Sequence, residues 1–311
     1  MIMTASRSAM SFIHNIRRGL HALSGWLGEF DRIQLPEPAE PPLERASEIE
    51  AFLRGLDYPD AGSRGYVEIH MERFVRTLTM VPPPSRTGRV LELGAYMQMT
   101  PVLGCVLGYE EIRGAYFGKL GRTDEKTASA GGKEIFRCHV DLFDAEKDAY
   151  PYPDEHFDTV LACEIFEHFL HDPMHMLLES RRVLVDGGTL VLTTPNVASY
   201  TAVARVLEMS GNPQLYSMYP DPRGEYADSE VGHMREYTPA ELEQAVQAAG
   251  FEVVYLFTKI APTYNSHLWV RPFLERNHAT AILRGEQMFL LARKKREMPV
   301  TRYPSFLYEG M

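Results

Sequence analysis

The stretch Phe157-Asp158-Thr159-Val160-Leu161-Ala162-Cys163-Glu164-Ile165-Phe166-Glu167-His168 changes character in its middle. Its first part is a nearly continuous apolar run, the pattern of a strand covered on both faces of a sheet. Its second part carries two carboxylates and an imidazole. With a helix starting just after the strand, Glu164, Glu167 and His168 stand at i, i+3 and i+4 and share one helix face. Carboxylate oxygens with an imidazole nitrogen suit Mg²⁺, Mn²⁺, Fe²⁺ or Zn²⁺, and a cation reconciles two carboxylates that would otherwise repel. A divalent metal site is expected where this strand ends.

The pattern repeats outward. Upstream, Arg89-Val90-Leu91-Glu92-Leu93-Gly94 reads as a strand running into a turn, with further strands at residues 112–118 and 135–141. Downstream, a helical stretch at 174–184 leads to a strand at 188–194, a second at 239–249 leads through Gly250 to a strand at 251–258, and a last strand lies at 287–293. Seven strands separated mostly by helices predict an α/β fold with a doubly wound, mostly parallel sheet. Ligands of such sheets bind outside the carboxyl ends of the strands. Glu92, Gly94, Asp141, Cys163, Glu164 and Thr194 to Asn196 fall at those ends.

The chain has 311 residues, enough for a sizeable core, and its 45% hydrophobic and 24% charged content is ordinary for a globular protein. A formal net charge of -10 argues against a nucleic-acid partner, which clustered Lys and Arg would attract. Cys105, Cys138 and Cys163 are scattered and odd in number, which points to a reducing cytoplasm. No stretch approaches the roughly 20 apolar residues of a membrane span.

In residues 1–33, Phe12, Ile16, Leu20, Leu23, Leu27 and Phe30 recur at helical spacing. An amphipathic helix is expected, packed on the main domain or on the same helix of a second copy, with peripheral membrane contact as the alternative. Residues 34–43 are a Pro-rich linker, residues 44–84 a helical lead-in with patterns near 43–55 and 65–80, residues 85–298 the main domain and residues 299–311 a tail.

The order of these pieces resembles the class I S-adenosylmethionine (SAM)-dependent methyltransferases over about residues 65–295. Val90-Leu91-Glu92-Leu93-Gly94 resembles their first motif. The segment from Tyr150 to Asp158 resembles their Pro-rich lead into strand four, and Arg182 to Gly188 their turn into strand five, followed by Thr193-Thr194-Pro195-Asn196. Gly232-His233-Met234-Arg235-Glu236-Tyr237-Thr238 resembles a later segment of sugar- and lipid-modifying members. The resemblance implies a Rossmann-like sheet and SAM as cofactor. It places Glu92 near the methionine amine, Asp141 near adenine with Leu142 beside it, and Gly94, Ala95 and Tyr96 in the cofactor loop. Cys163 becomes a small buried neighbour of the cofactor rather than a nucleophile.

Two departures stand out. Only the first glycine of the usual Gly-x-Gly-x-Gly loop is present, and Ala115-Tyr116-Phe117-Gly118 lacks the acid that grips the ribose, so Tyr116 or Lys119 is expected in its place.

More narrowly, Glu-x-x-Glu-His followed by a later His resembles the metal-dependent O-methyltransferases of ubiquinone biosynthesis and of small-RNA 3′-end methylation. That resemblance implies Glu164, Glu167, His168 and His233 as ligands of one divalent ion, with His168 and His233 as the imidazoles at the reacting centre. It also implies O-methylation of a diol or catechol-like hydroxyl. The acidic composition favours a small-molecule or saccharide acceptor such as a sugar, glycolipid precursor, quinol or natural product. The alternatives are a degenerate SAM-binding or non-catalytic module of the same fold, and an NAD-dependent oxidoreductase or epimerase, which should carry Gly-x-Gly-x-x-Gly. His171 and His175 are expected to be non-ligands, and Arg235 and Glu236 either to pair with each other or to contact the acceptor.

Overall fold

The computed structural model describes residues 38–216, 232–261 and 267–309. The expected amphipathic helix of the first 33 residues lies outside the described residues. Contacts divide the chain into two units: the larger holds Pro38–Leu268 and Leu283–Met311, and Trp269–Ile282 belong to the smaller.

In the larger unit, helices α1 (Ala46–Gly55), α2 (Ala61–Ile69) and α3 (Met71–Met80) precede strand β1 (Arg89–Leu93) and helix α4 (Thr100–Cys105). Strands β2 (Glu111–Tyr116), β3 (Arg122–Ala130), β4 (Lys133–Leu142) and β5 (Phe157–Cys163) follow. Helix α5 (Pro173–Val183), strand β6 (Leu184–Pro195), helices α6 (Tyr200–Leu207) and α7 (Pro239–Ala248) and strand β7 (Phe251–Lys259) come next. Strand β8 (Gln287–Lys294) completes it. The smaller unit contributes helix α8 (Val270–Arg276). No described helix is long and apolar enough to cross a membrane.

The strands form one sheet in the order β3-β4-β2-β1-β5-β6-β8-β7. β4, β2, β1, β5 and β6 run parallel to their neighbours, while β3 and the β8-β7 pair add antiparallel edges. The α/β, doubly wound, Rossmann-like architecture agrees with the expectation, but the described sheet has eight strands rather than seven. The additional strand is β3. Its residues are exposed or half-buried throughout and polar on both faces, so it carries no apolar alternation. It is held by pairing with β4 across the turn at Gly131 and Gly132, both at positive φ. The expected second lead-in helix is also interrupted, breaking at His70 into α2 and α3.

Successive strand residues serve opposite faces. Leu91, Leu93, Val160, Ala162, Leu190 and Leu192 join a core with α5 and α7. Val90, Leu161 and Val191 join a second core with α1, α3 and α4. Glu92, Cys163 and Thr193 share the face of Val90, Leu161 and Val191, and are therefore directed toward the layer that contains α3. The loop before β1 is fastened from below by Asp158, whose carboxylate accepts the backbone N–H groups of Ser85, Arg86, Thr87 and Gly88. These four donors hold its pKa below the ordinary value against the opposing effect of burial.

Candidate active site

The chain enters the site through two backbone conformations forced at strand ends. After β1, Gly94 adopts φ +69°, and a Cβ there would stand 2.9 Å from Ile165 Cγ2. Only glycine allows this approach. After β5, Glu164 adopts φ +55° with its N–H bonded to Thr193 O at 2.9 Å. A left-handed conformation costs a side-chain-bearing residue about 1–2 kcal/mol.

The chain then makes a single 3₁₀ turn, Phe166–His168, in place of the expected α-helix. The i, i+3, i+4 arrangement is therefore corrected. Glu164 precedes the turn and is aimed elsewhere: its Oε2 lies 2.5 Å from Arg73 Nη1, and its Oε1 accepts from Thr193 Oγ1 at 2.8 Å and Gln287 Nε2 at 2.6 Å. These partners offset the backbone cost.

Glu167 and His168 instead meet His233. The peptide N–H groups of Met234 and Arg235 donate to Glu167 O at 2.9 and 3.2 Å, which seats the later segment on the turn. His233 Nε2 comes to 3.8 Å from Glu167 Oε1, and the rings of His168 and His233 stand 4.8 Å apart, edge to face. Among the described residues, Glu167, His168 and His233 each offer a ligand atom, all within 4.8 Å of one another. Glu167 is fully buried. Its Oε2 accepts from Thr194 Oγ1 at 2.8 Å, while its Oε1 has no partner. Burial first, and then the nearby charge of Glu164, push its pKa well above the ordinary carboxylate value. A buried carboxylate oxygen without a donor, beside two imidazoles, fits a divalent cation in chemistry and in ligand type.

These groups line a cavity of about 560 Å³ at the carboxyl ends of β1, β5 and β6, within the size range of small-molecule sites. Of the expected cofactor residues, Glu92, Gly94, Tyr96 and Cys163 line it. Glu92 is 2% exposed, has an unpartnered Oε2, and is pushed up by burial to about 7. Burial also raises the Cys163 thiol, which suits a packing role better than a nucleophilic one.

Ala95, Tyr116, Asp141 and Leu142 are not on its wall. Tyr116 stands behind Tyr96, donating to its hydroxyl at 2.9 Å with the rings edge to face. Asp141 accepts from Tyr152 Oη at 2.8 Å and Thr123 Oγ1 at 2.6 Å, and faces Arg113 at 3.7 Å. Arg235 pairs with Glu241 at 2.7 Å rather than with Glu236.

The opposite wall, absent from the sequence reading, is formed by Tyr66 of α2, His70 at the break, and Arg73, Phe74 and Thr77 of α3. Arg73 donates to Tyr66 Oη at 2.6 Å as well as pairing with Glu164. Burial works to lower its pKa, but Glu164 and Tyr66 outweigh that and hold it above the ordinary value. The signal was present as Tyr66, His70, Arg73 and Thr77, a polar stripe at i, i+4, i+7 and i+11 beside the apolar stripe of the same helices.

The family model described as "Methyltransferase domain" matches residues 34–256. No curated protein sequence matches the chain. Among solved structures, similarity is found to a chain from the complex between the Haloferax volcanii Trm112 methyltransferase activator and the putative methyltransferase: 14% identity, TM-score 0.47, covering 80% of this chain and 98% of that one. A SAM-dependent methyltransferase from Archaeoglobus fulgidus has 17% identity and TM-score 0.44, covering 75% and 95%. One from Mesorhizobium loti has 16% identity and TM-score 0.43, covering 73% and 98%. The family match favours neither the oxidoreductase nor the non-catalytic alternative. Spanning well over half of the chain, it shows that the protein belongs to the methyltransferase domain family, as a class I SAM-dependent methyltransferase.

Proposed function

We propose that the protein transfers the methyl group of SAM to a hydroxyl oxygen of a small-molecule or saccharide acceptor, at a divalent-metal site formed by Glu167, His168 and His233. The observation that carries this reading is the buried, unpartnered Oε1 of Glu167 facing two imidazoles. SAM supplies an electrophilic methyl group, and a divalent ion supplies Lewis acidity that lowers the pKa of a hydroxyl.

The residues of the chain do the rest. Tyr66, Arg73 and Phe74 form one wall of the cavity, across which acceptor and cofactor would be aligned. Arg73 pairs with Glu164, which leaves Glu167 as the carboxylate with an oxygen free to meet a cation. Glu164 is assigned the role of ion-pair partner at the cavity wall in place of the direct metal ligation that the resemblance implied. Glu92, with an unpartnered buried oxygen, fits the cofactor ammonium, and Tyr96 braced by Tyr116 takes the place of the missing ribose acid. The net charge of -10 supports a small acceptor over nucleic acid.

The test combines metal analysis with calorimetry. Wild-type protein is expected to bind Mn²⁺ and S-adenosylhomocysteine, and Glu167→Ala and His233→Ala to lose Mn²⁺ while keeping S-adenosylhomocysteine affinity within about threefold. Unchanged Mn²⁺ uptake in both variants, or none in the wild type, would sink the metal reading.

A further inference from the structure

Glu236 is fully buried at its side chain and has a carboxylate shared among three nitrogen atoms. Its Oε2 accepts the N–H of Leu215 at 2.8 Å, and its Oε1 accepts the N–H of Tyr216 at 3.0 Å and faces His233 Nδ1 at 3.1 Å. The same residue thus touches both the imidazole of the ligand cluster and the segment that carries Tyr216 into the cavity. The Tyr216 and His233 rings stand 4.9 Å apart.

The tautomer of His233 follows from this contact. Oε1 is an acceptor, so a bare Nδ1 would set lone pair against lone pair in a buried place, whereas Nδ1–H makes a charge-assisted hydrogen bond. With the proton on Nδ1, the lone pair of a neutral ring is on Nε2. Nε2 is the nitrogen directed at the unpartnered Oε1 of Glu167, 3.8 Å away. Two electron-rich atoms then converge on a space that wants a cation.

We propose that Glu236 is the positioning residue of this site: it fixes the Nδ1–H form of His233, aims Nε2 at the ligand cluster, and with the same carboxylate locks the Leu215–Tyr216 backbone against the imidazole. Metal readiness of His233 and placement of the Tyr216 ring are therefore set by one group. This inference rests on the proposed function in taking His233 as a working imidazole, but its tautomer and backbone claims stand apart from metal binding.

The test uses the full chain with Glu236→Ala and Glu236→Gln. Ring ¹⁵N NMR is expected to show His233 protonated on Nδ1 in the wild type and shifted toward the Nε2–H form in Glu236→Ala. Mn²⁺ affinity should fall by roughly 10- to 100-fold. Affinity for S-adenosylhomocysteine should hold within about threefold, and chymotryptic cleavage after Tyr216 should speed up as the backbone bonds are lost. Glu236→Gln, whose amide oxygen serves some of the three donors, should fall between. Folded variants with an unchanged His233 tautomer overturn the proposal, as does an equal loss of Mn²⁺ and S-adenosylhomocysteine binding, the mark of a merely structural residue. If Glu236→Ala does not fold, the tautomer in Glu236→Gln decides. If the wild type takes up no Mn²⁺, the metal reading fails by itself and the tautomer measurement still decides the role of Glu236.

Discussion

Glu92 offers the most direct quantitative test of the site. It sits in the middle of the sheet, 2% exposed, and burial pushes its carboxyl up to about 7 from a reference of 4.5. A group whose pKa is raised by folding contributes fully below the unfolded value, and its contribution is lost as pH rises through the folded value. The window here runs from 4.5 to about 7. Glu92→Gln keeps the shape and removes the titration. At one pKa unit per 1.36 kcal/mol, wild type should lose about 2–3 kcal/mol relative to Glu92→Gln between pH 5 and pH 8.

Urea unfolding of both proteins across that range, without cofactor, reads the difference directly, because all other titrating groups cancel. A difference that stays flat within about 0.5 kcal/mol over the range, or one that favours wild type as pH rises, would refute the reasoning. It would mean that Glu92 is solvated or already paired, and would remove the argument that it awaits a cation.

Three other outcomes are expected. Arg73→Ala strands the half-buried Glu164 carboxylate and should cost about 2–4 kcal/mol in chemical denaturation, while adding Glu164→Gln should recover part of the loss; additive losses would show the pair to be uncoupled. Gly94→Ala combines positive φ with a contact at 2.9 Å to Ile165, so it should destabilise by at least about 1 kcal/mol and weaken S-adenosylhomocysteine binding in calorimetry. Neutral behaviour in both assays would count against the tight turn. Removal of residues 1–37 should leave S-adenosylhomocysteine affinity within about threefold, because among the described residues the cavity wall is drawn from those between Gly62 and His233. A folded truncation that no longer binds would place the arm in the cofactor site.

Much of the architecture was legible in the chain itself. A strand covered on both faces must be apolar at successive positions, so the runs at Val90, Val160 and Leu190 announce a central parallel sheet without reference to partners. Pro and Gly at the helix and strand ends punctuate the order. The closeness of Glu167 and His168 was legible too, because a helix or a 3₁₀ turn keeps neighbouring residues together, whereas His233, 65 positions further on, was named only through the family resemblance. The edge strand β3 was not, since its stability comes from hydrogen bonds to β4 and from no apolar face of its own.

Only the tertiary structure decided which way Glu164 points. Its left-handed backbone and its pairing with Arg73, 91 positions earlier, arise from packing α3 over the strand ends, and no local spacing encodes that contact. The same holds for Glu236, for which local pattern left a pairing with Arg235 and a contact with the acceptor both open. Burial turned it toward His233 and the Leu215–Tyr216 backbone, because a carboxylate removed from water must take whatever donors the fold brings to it.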